Sequence, residues 1–185
     1  MSNLPQDYDV PSSSGNYMKL EKGTNKFRIL GDILLGWKWW TETEDGKSSP
    51  VRIPYDQSPP VSAAESVKHF WAFPVWNYAA NKLQVLEITQ KGIQRDLRAL
   101  DRNPKWGEYE GYDITVEKKG EDLATTYSVV PEPPSALESE IKKAVSEAKI
   151  NLEALFDNDD PFADSEVATE EVEDDFLKSL GAPGD

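Results

Sequence analysis

Two short stretches concentrate the residues able to hold a flat, charged polymer. Asp32–Thr41 (DILLGWKWWT) and Lys68–Tyr78 (KHFWAFPVWNY) contain Trp37, Trp39, Trp40, Trp71 and Trp76, five of the six tryptophans of the chain. In extended backbone alternate side chains share a face. That sorts Ile33, Leu35, Trp37 and Trp39 from Lys38 and Trp40. It likewise sorts His69, Trp71, Phe73 and Val75 from Lys68, Phe70, Trp76 and Tyr78. The uniformly apolar sets read as core. The sets that mix rings with lysine read as a platform, because every base offers a flat face whose stacking is worth roughly 1–3 kcal/mol. Any single ring also fits a core role. Gly36 suggests a bulge or bend, which would exchange the faces of Trp37–Trp40, and Pro74 suggests an edge or bulged position.

Cations that could neutralise phosphates accompany these rings. In Thr89–Asn103 the period becomes helical: Ile93, Leu97 and Leu100 face a core, and Lys91, Arg95, Arg98 and Arg102 form a basic stripe opposite. The stripe reads as a solvated face beside Asp96 and Asp101, as a phosphate track, or as a dock for an acidic segment. Arg28, Lys38, Arg52 and Lys68 would extend the track. Catalytic signals are weak. The only histidine, His69, lies in an apolar strand and reads as structural, and there is no cysteine for thiolate metal sites or disulfides. Phosphate-loop and nucleophile-elbow motifs are absent from the sequence. The expectation is a binding protein without catalytic residues, metal or cofactor.

Several elements must position these residues. Residues 1–16 read as a flexible leader and residues 17–131 as one domain. Its strands are expected near Asn25–Leu30, Asp32–Thr41, Lys68–Tyr78 and Lys82–Thr89, then the helix, then a hairpin over Gly111–Val130. Residues 43–66, with four prolines, read as a long loop. This order predicts a mainly β fold, a small antiparallel Greek-key barrel of the OB type with one helix between strand pairs. Residues 132–156 read as a stiff linker and an amphipathic helix. Ser135 and Glu138 form its capping box, and Leu137, Ile141, Val145, Ala148, Leu152 and Leu155 its apolar stripe. That stripe could pack on its own domain or pair two copies, so a homo-oligomer is possible. Residues 157–185 read as an acidic disordered tail. Residues 131–185 carry four lysines against sixteen carboxylates, whereas residues 1–130 carry sixteen basic and eighteen acidic side chains. The net charge of −14 therefore belongs largely to the tail. No apolar run approaches the roughly 20 residues of a membrane span, which sets the expectation of a cytoplasmic protein that does not enter membranes.

The segments YMKLEKGTNKFRIL, KHFWAFPVWNY, LEITQKGIQRDLRAL, GYDITVEKKG and ALFDNDDPF resemble, in that order, bacteriophage single-stranded DNA-binding proteins. The resemblance spans roughly Tyr17 to Phe162 and rests on the order of the segments. It implies an OB-type core and a replication or recombination accessory, in the host cytoplasm if phage-encoded, that coats single strands without sequence preference. It also implies that the tail recruits partner proteins through Asp159, Asp160, Pro161 and Phe162. Asp174, Asp175 and Phe176 are a second acidic–aromatic candidate. The expected strand-binding residues are Arg28, Lys38, Trp40, Arg52, Lys68, Phe70, Trp76, Tyr78, Lys91, Arg95 and Arg98. A protein-interaction adaptor and a single-stranded RNA binder are the alternatives.

Overall fold

The ring-rich segment Lys68–Tyr78 forms the central strand of the sheet, and its neighbours follow from its two apolar faces. The computed structural model describes residues 15–164. Seven strands, β1 (Gly23–Ile29), β2 (Leu34–Glu42), β3 (Ser48–Pro54), β4 (Lys68–Asn77), β5 (Lys82–Ile88), β6 (Ile114–Lys119) and β7 (Thr126–Pro131), form one antiparallel sheet. Helix α1 (Lys91–Asp101) joins β5 to β6, and α2 (Ser139–Glu147) follows β7. The sheet order is β3-β2-β4-β1-β6-β7, with β5 on the other edge of β4. The path ends at β3 and β7 without closing.

β4 changes partner along its length. Its first half pairs with β2 from Lys68 to Ala72, and its last residues pair with β1 from Val75 to Asn77. Pro74 falls at the seam between those partners, where a missing N–H costs the ladder least. No bulge forms there, so the alternation expected from the sequence runs through to Trp76. Gly36 makes no bulge either, since β2 keeps continuous register with β4 across it and pairs with β3 from Gly36 onward. Its requirement is space. A Cβ at Gly36 would lie 2.6 Å from the Ile53 carbonyl oxygen and 2.6 Å from the Phe70 ring, both fixed by the sheet. Gly36→Ala is expected to lower stability by about 1–3 kcal/mol, the usual cost of overpacking, measurable as a lowered denaturant midpoint.

β3 lies inside the stretch expected to be a long loop. Its prolines hide it from a pattern search, yet it pairs with β2 over seven residues, Pro50 opposite Trp40 and Pro54 opposite Gly36. An edge strand accepts proline because one side of its backbone needs no partner.

The two faces of β4 are both covered, by different elements. On the Phe73 face, Phe27, Ile29, Phe73, Val75, Leu86, Ile88, Ile114 and Val116 pack with Ile93 and Leu97 of α1. α1 stops before Asn103-Pro104, where the residue preceding proline disfavours helix. On the Phe70 face the cover comes from the C-terminal part of the described chain. Ile141 of α2 packs on Leu30 and Trp76. Leu155 and Phe162 pack on Phe70, Ala72 and Val85.

Three expectations are corrected there. The amphipathic helix ends at Glu147, and Leu152–Asp157 is a separate 3-10 turn, so the apolar stripe is divided between two elements. The capping box does not form: Glu138 stands at the helix start without a side-chain cap, and Ser135 Oγ instead accepts from Arg28 Nη2 at 2.6 Å. Residues 157–162 are folded rather than part of a disordered tail. Among the described residues no helix is long and apolar enough to cross a membrane.

Candidate nucleic-acid interface

The residues expected to form the stacking platform lie on the Phe70 face, and most of them are spent inside the protein. Phe70 is fully buried and Trp76 is 5% exposed, under the C-terminal cover. Arg28, 1% exposed, donates from Nε to Asp113 Oδ1 at 2.7 Å, so it reaches no phosphate. Tyr78 donates its hydroxyl to the same Asp113 oxygen at 2.6 Å. Lys38 and Arg52 share Glu87, with Lys38 Nζ at 2.5 Å and Arg52 Nε at 2.7 Å from its two oxygens. Arg28, Lys38, Arg52 and Tyr78 each found an internal carboxylate, Asp113 just before β6 or Glu87 of β5. Trp40, 55% exposed beneath Lys38 Nζ, and the exposed Lys68 are the members still open to solvent.

The acidic Pro–Phe segment is likewise held in place. Phe162 is 8% exposed against the Phe70 cluster, and Pro161 O accepts from Asn151 N at 2.8 Å. Asn16 Nδ2 reaches both oxygens of Asp160 at 3.2 Å, tying the two ends of the described chain together. Arg52 Nη1 donates to Asn158 Oδ1 at 3.1 Å just before Asp159. Phe162 is thus a core residue here, not a presented one. Asp174, Asp175 and Phe176 lie outside the described residues.

A half-buried aromatic cluster stands on the opposite face, built from Trp37, His69 and Trp71, which alternation had assigned to the core, and from the exposed Tyr55. Register places Trp37 opposite His69 and Leu35 opposite Trp71, at the end of the sheet that α1 leaves uncovered. Tyr55, 55% exposed just beyond β3, stacks on Trp37 with ring centroids 5.6 Å apart and planes at 22°. His69 lies 5.0 Å from Trp37 and 5.1 Å from Tyr55. A shallow apolar groove beside Trp37, lined by Pro59, Pro60 and Val67, lengthens the surface.

Hydrogen bonds lock these rings by their edges. Trp37 Nε1 donates to Tyr55 O at 3.1 Å, and Trp71 Nε1 donates to His69 Nε2 at 3.2 Å. His69 Nδ1 lies 2.8 Å from Gly36 O. A carbonyl can only accept, so these bonds assign the ring proton to Nδ1 and leave Nε2 as the acceptor for Trp71. With the ring nitrogens of Trp37, His69 and Trp71 engaged internally, what these three leave for a ligand is ring surface. Two-χ aromatic rings held this way lose little freedom on stacking.

The basic stripe of α1 flanks this cluster. Gln94 Nε2 donates to His69 O at 3.0 Å and to Ile88 O at 3.2 Å, which fixes the helix beside β4. Lys91, Arg95, Arg98 and Arg102 are all exposed, and none makes an ion pair among the described residues. Arg98 and Arg102 line a cleft of about 440 Å³ whose apolar wall includes Leu35 and Trp71. Besides Lys68 on the other face, Lys91, Arg95 and Arg98 are the expected cations left without an ion pair among the described residues, and their helix adjoins a different set of rings from the one expected. Tyr55 lay hidden in the apparent loop. The one polar member of the presumed core set, His69, was the available signal for the rest.

Buried phenols around the core give the fold an alkaline limit. Burial and then the Asp113 hydrogen bond push Tyr78 up to about 12, and burial pushes Tyr112 up to about 12. Between the ordinary tyrosine value near 10 and about 12 the folded chain keeps protons that the unfolded chain releases. The associated stability is fully present below pH 10 and is lost as pH rises through about 12. Thermal melts from pH 9 to 12 should show a falling midpoint, with a shallower fall in Tyr112→Phe.

Comparison with known protein families, curated proteins and solved structures finds no match.

Proposed function

We propose that the protein binds single-stranded DNA without strong sequence preference, stacking bases on Trp37, Tyr55, His69 and Trp71. Lys91 and Arg95 then take phosphates along α1. The observation that carries this reading is an aromatic cluster that reaches solvent, with Tyr55 exposed and Trp37, His69 and Trp71 half-buried, beside a helix with exposed cations unpaired among the described residues. Stacking surface plus a cationic track is what single-strand binding requires, and duplex DNA hides the base faces that the cluster needs. The ordered resemblance of segments to phage single-stranded DNA-binding proteins points the same way. In this reading the open sheet with α1 between β5 and β6 is an OB-type platform. Recruitment of replication or recombination proteins falls to the acidic residues beyond Asp164.

Titration of the full chain with labelled oligothymidine is the direct test. Tryptophan fluorescence should be quenched, and affinity should fall as salt rises because phosphate binding releases counterions. A matched RNA strand, competed against the DNA, separates DNA from RNA binding. Unchanged fluorescence and anisotropy at micromolar protein would remove the proposal.

A further inference from the structure

The cleft between α1 and the Leu35–Trp71 edge of the sheet holds charges of both signs without pairing them. Arg98 and Arg102 line it together with Asp32, Asp101, Glu108 and Glu110. Among the described residues none of these six side chains makes an ion pair. Guanidinium donors and carboxylate acceptors therefore remain available around one apolar wall that includes Ile33, Leu35 and Trp71. Tyr109 also lines the cleft, but its hydroxyl is committed to Leu97 O at 2.6 Å.

Four carboxylates against two guanidiniums make the cleft net negative, which disfavours a phosphate. The cleft instead suits a flat, neutral group carrying both acceptors and donors. Its volume of about 440 Å³ falls in the range of small-molecule sites. Among the bases, guanine matches both kinds of lining group. Its O6 and N7 accept the bidentate fork of an arginine, and its N1–H and N2–H2 donate to a carboxylate. Thymine offers a single N–H between two carbonyls, which face the carboxylates unfavourably.

We propose that this cleft takes one guanine base of the bound strand, its ring against Trp71, with Arg98 or Arg102 and the carboxylate of Asp101 or Glu108 reading its edges. The inference rests on the strand-binding reading above and adds a preference at one nucleotide to otherwise sequence-indifferent stacking.

The test compares four strands on the full chain: oligothymidine, and the same strand with one central guanine, inosine or 7-deazaguanine. The guanine strand should bind about tenfold tighter than oligothymidine, the lower part of the range for a bidentate contact. Inosine lacks N2–H2 and 7-deazaguanine lacks N7, so each should fall back towards thymine. The double variant Asp101→Asn/Glu108→Gln should bring the guanine-to-inosine affinity ratio to about one; an unchanged ratio overturns the assignment to these carboxylates. Equal wild-type affinity for all four strands overturns the guanine site while leaving strand binding intact. Failure of every strand to bind overturns both.

Discussion

Replacing Trp37 and Trp71 together by alanine is expected to weaken oligothymidine binding on the order of a hundredfold or more, since each lost stack costs roughly 1–3 kcal/mol. The two rings stand on adjacent strands of the uncovered end of the sheet, and neither belongs to the fully buried set. Both are half-buried and Trp71 packs against the Phe73 core, so some stability is lost as well, and the affinity is read on the folded fraction. Phe70→Ala is the matched control on the other face. Phe70 is fully buried against Ala72, Val85, Leu155 and Phe162, so its truncation should cost about 3–5 kcal/mol of stability. Binding by the fraction that remains folded should change little. The opposite pattern, in which Phe70→Ala abolishes binding by a stable protein and the tryptophan pair is silent, would restore the Phe70 face as the platform.

Those variants separate two faces that the sequence alone could describe but not assign. Alternation identified β1, β2 and β4 to β7, and the apolar period of Ile93, Leu97 and Leu100 identified α1. Both signals are local, and both arise from one element meeting one core. The sealing of the Phe70 face of β4 depends on Ile141, Leu155 and Phe162, which lie more than sixty residues further along the chain. The rule that rings mixed with lysine mark a surface failed for the same reason. Lys38 is answered by Glu87 from β5 and Arg28 by Asp113 just before β6. A lysine or arginine among rings is as well placed for an internal ion pair as for a phosphate, and only the topology decides. The α1 cations escaped that fate: Arg98 and Arg102 share a cleft with Asp32, Glu108 and Glu110, yet none of the stripe closes an ion pair among the described residues.

The same topology makes Arg28 the residue whose removal should damage the fold most. Arg28 is 1% exposed. It donates to Asp113 Oδ1 at 2.7 Å, to Glu110 O at 3.3 Å, to Ser135 O at 3.0 Å and to Ser135 Oγ at 2.6 Å. The contacts to Ser135 bring the chain after β7 back onto β1, which starts the path of α2 across Leu30 and Trp76. Arg28→Ala would leave Asp113 with only Tyr78 and the longer Lys26 contact at 3.7 Å, together with two carbonyls stripped of their donor. Breaking one side of a buried ion pair typically costs about 3–5 kcal/mol, so the variant should unfold at much lower denaturant or temperature. Arg95→Ala, on the exposed face of α1, should barely change stability. It should instead reduce the salt dependence of DNA binding by about one phosphate contact. Equilibrium unfolding and a salt titration on both variants discriminate the two roles. A stable Arg28→Ala protein with a flattened salt slope would mean that Arg28 leaves Asp113 to bind the strand, and that the sheet opens far enough for it to do so.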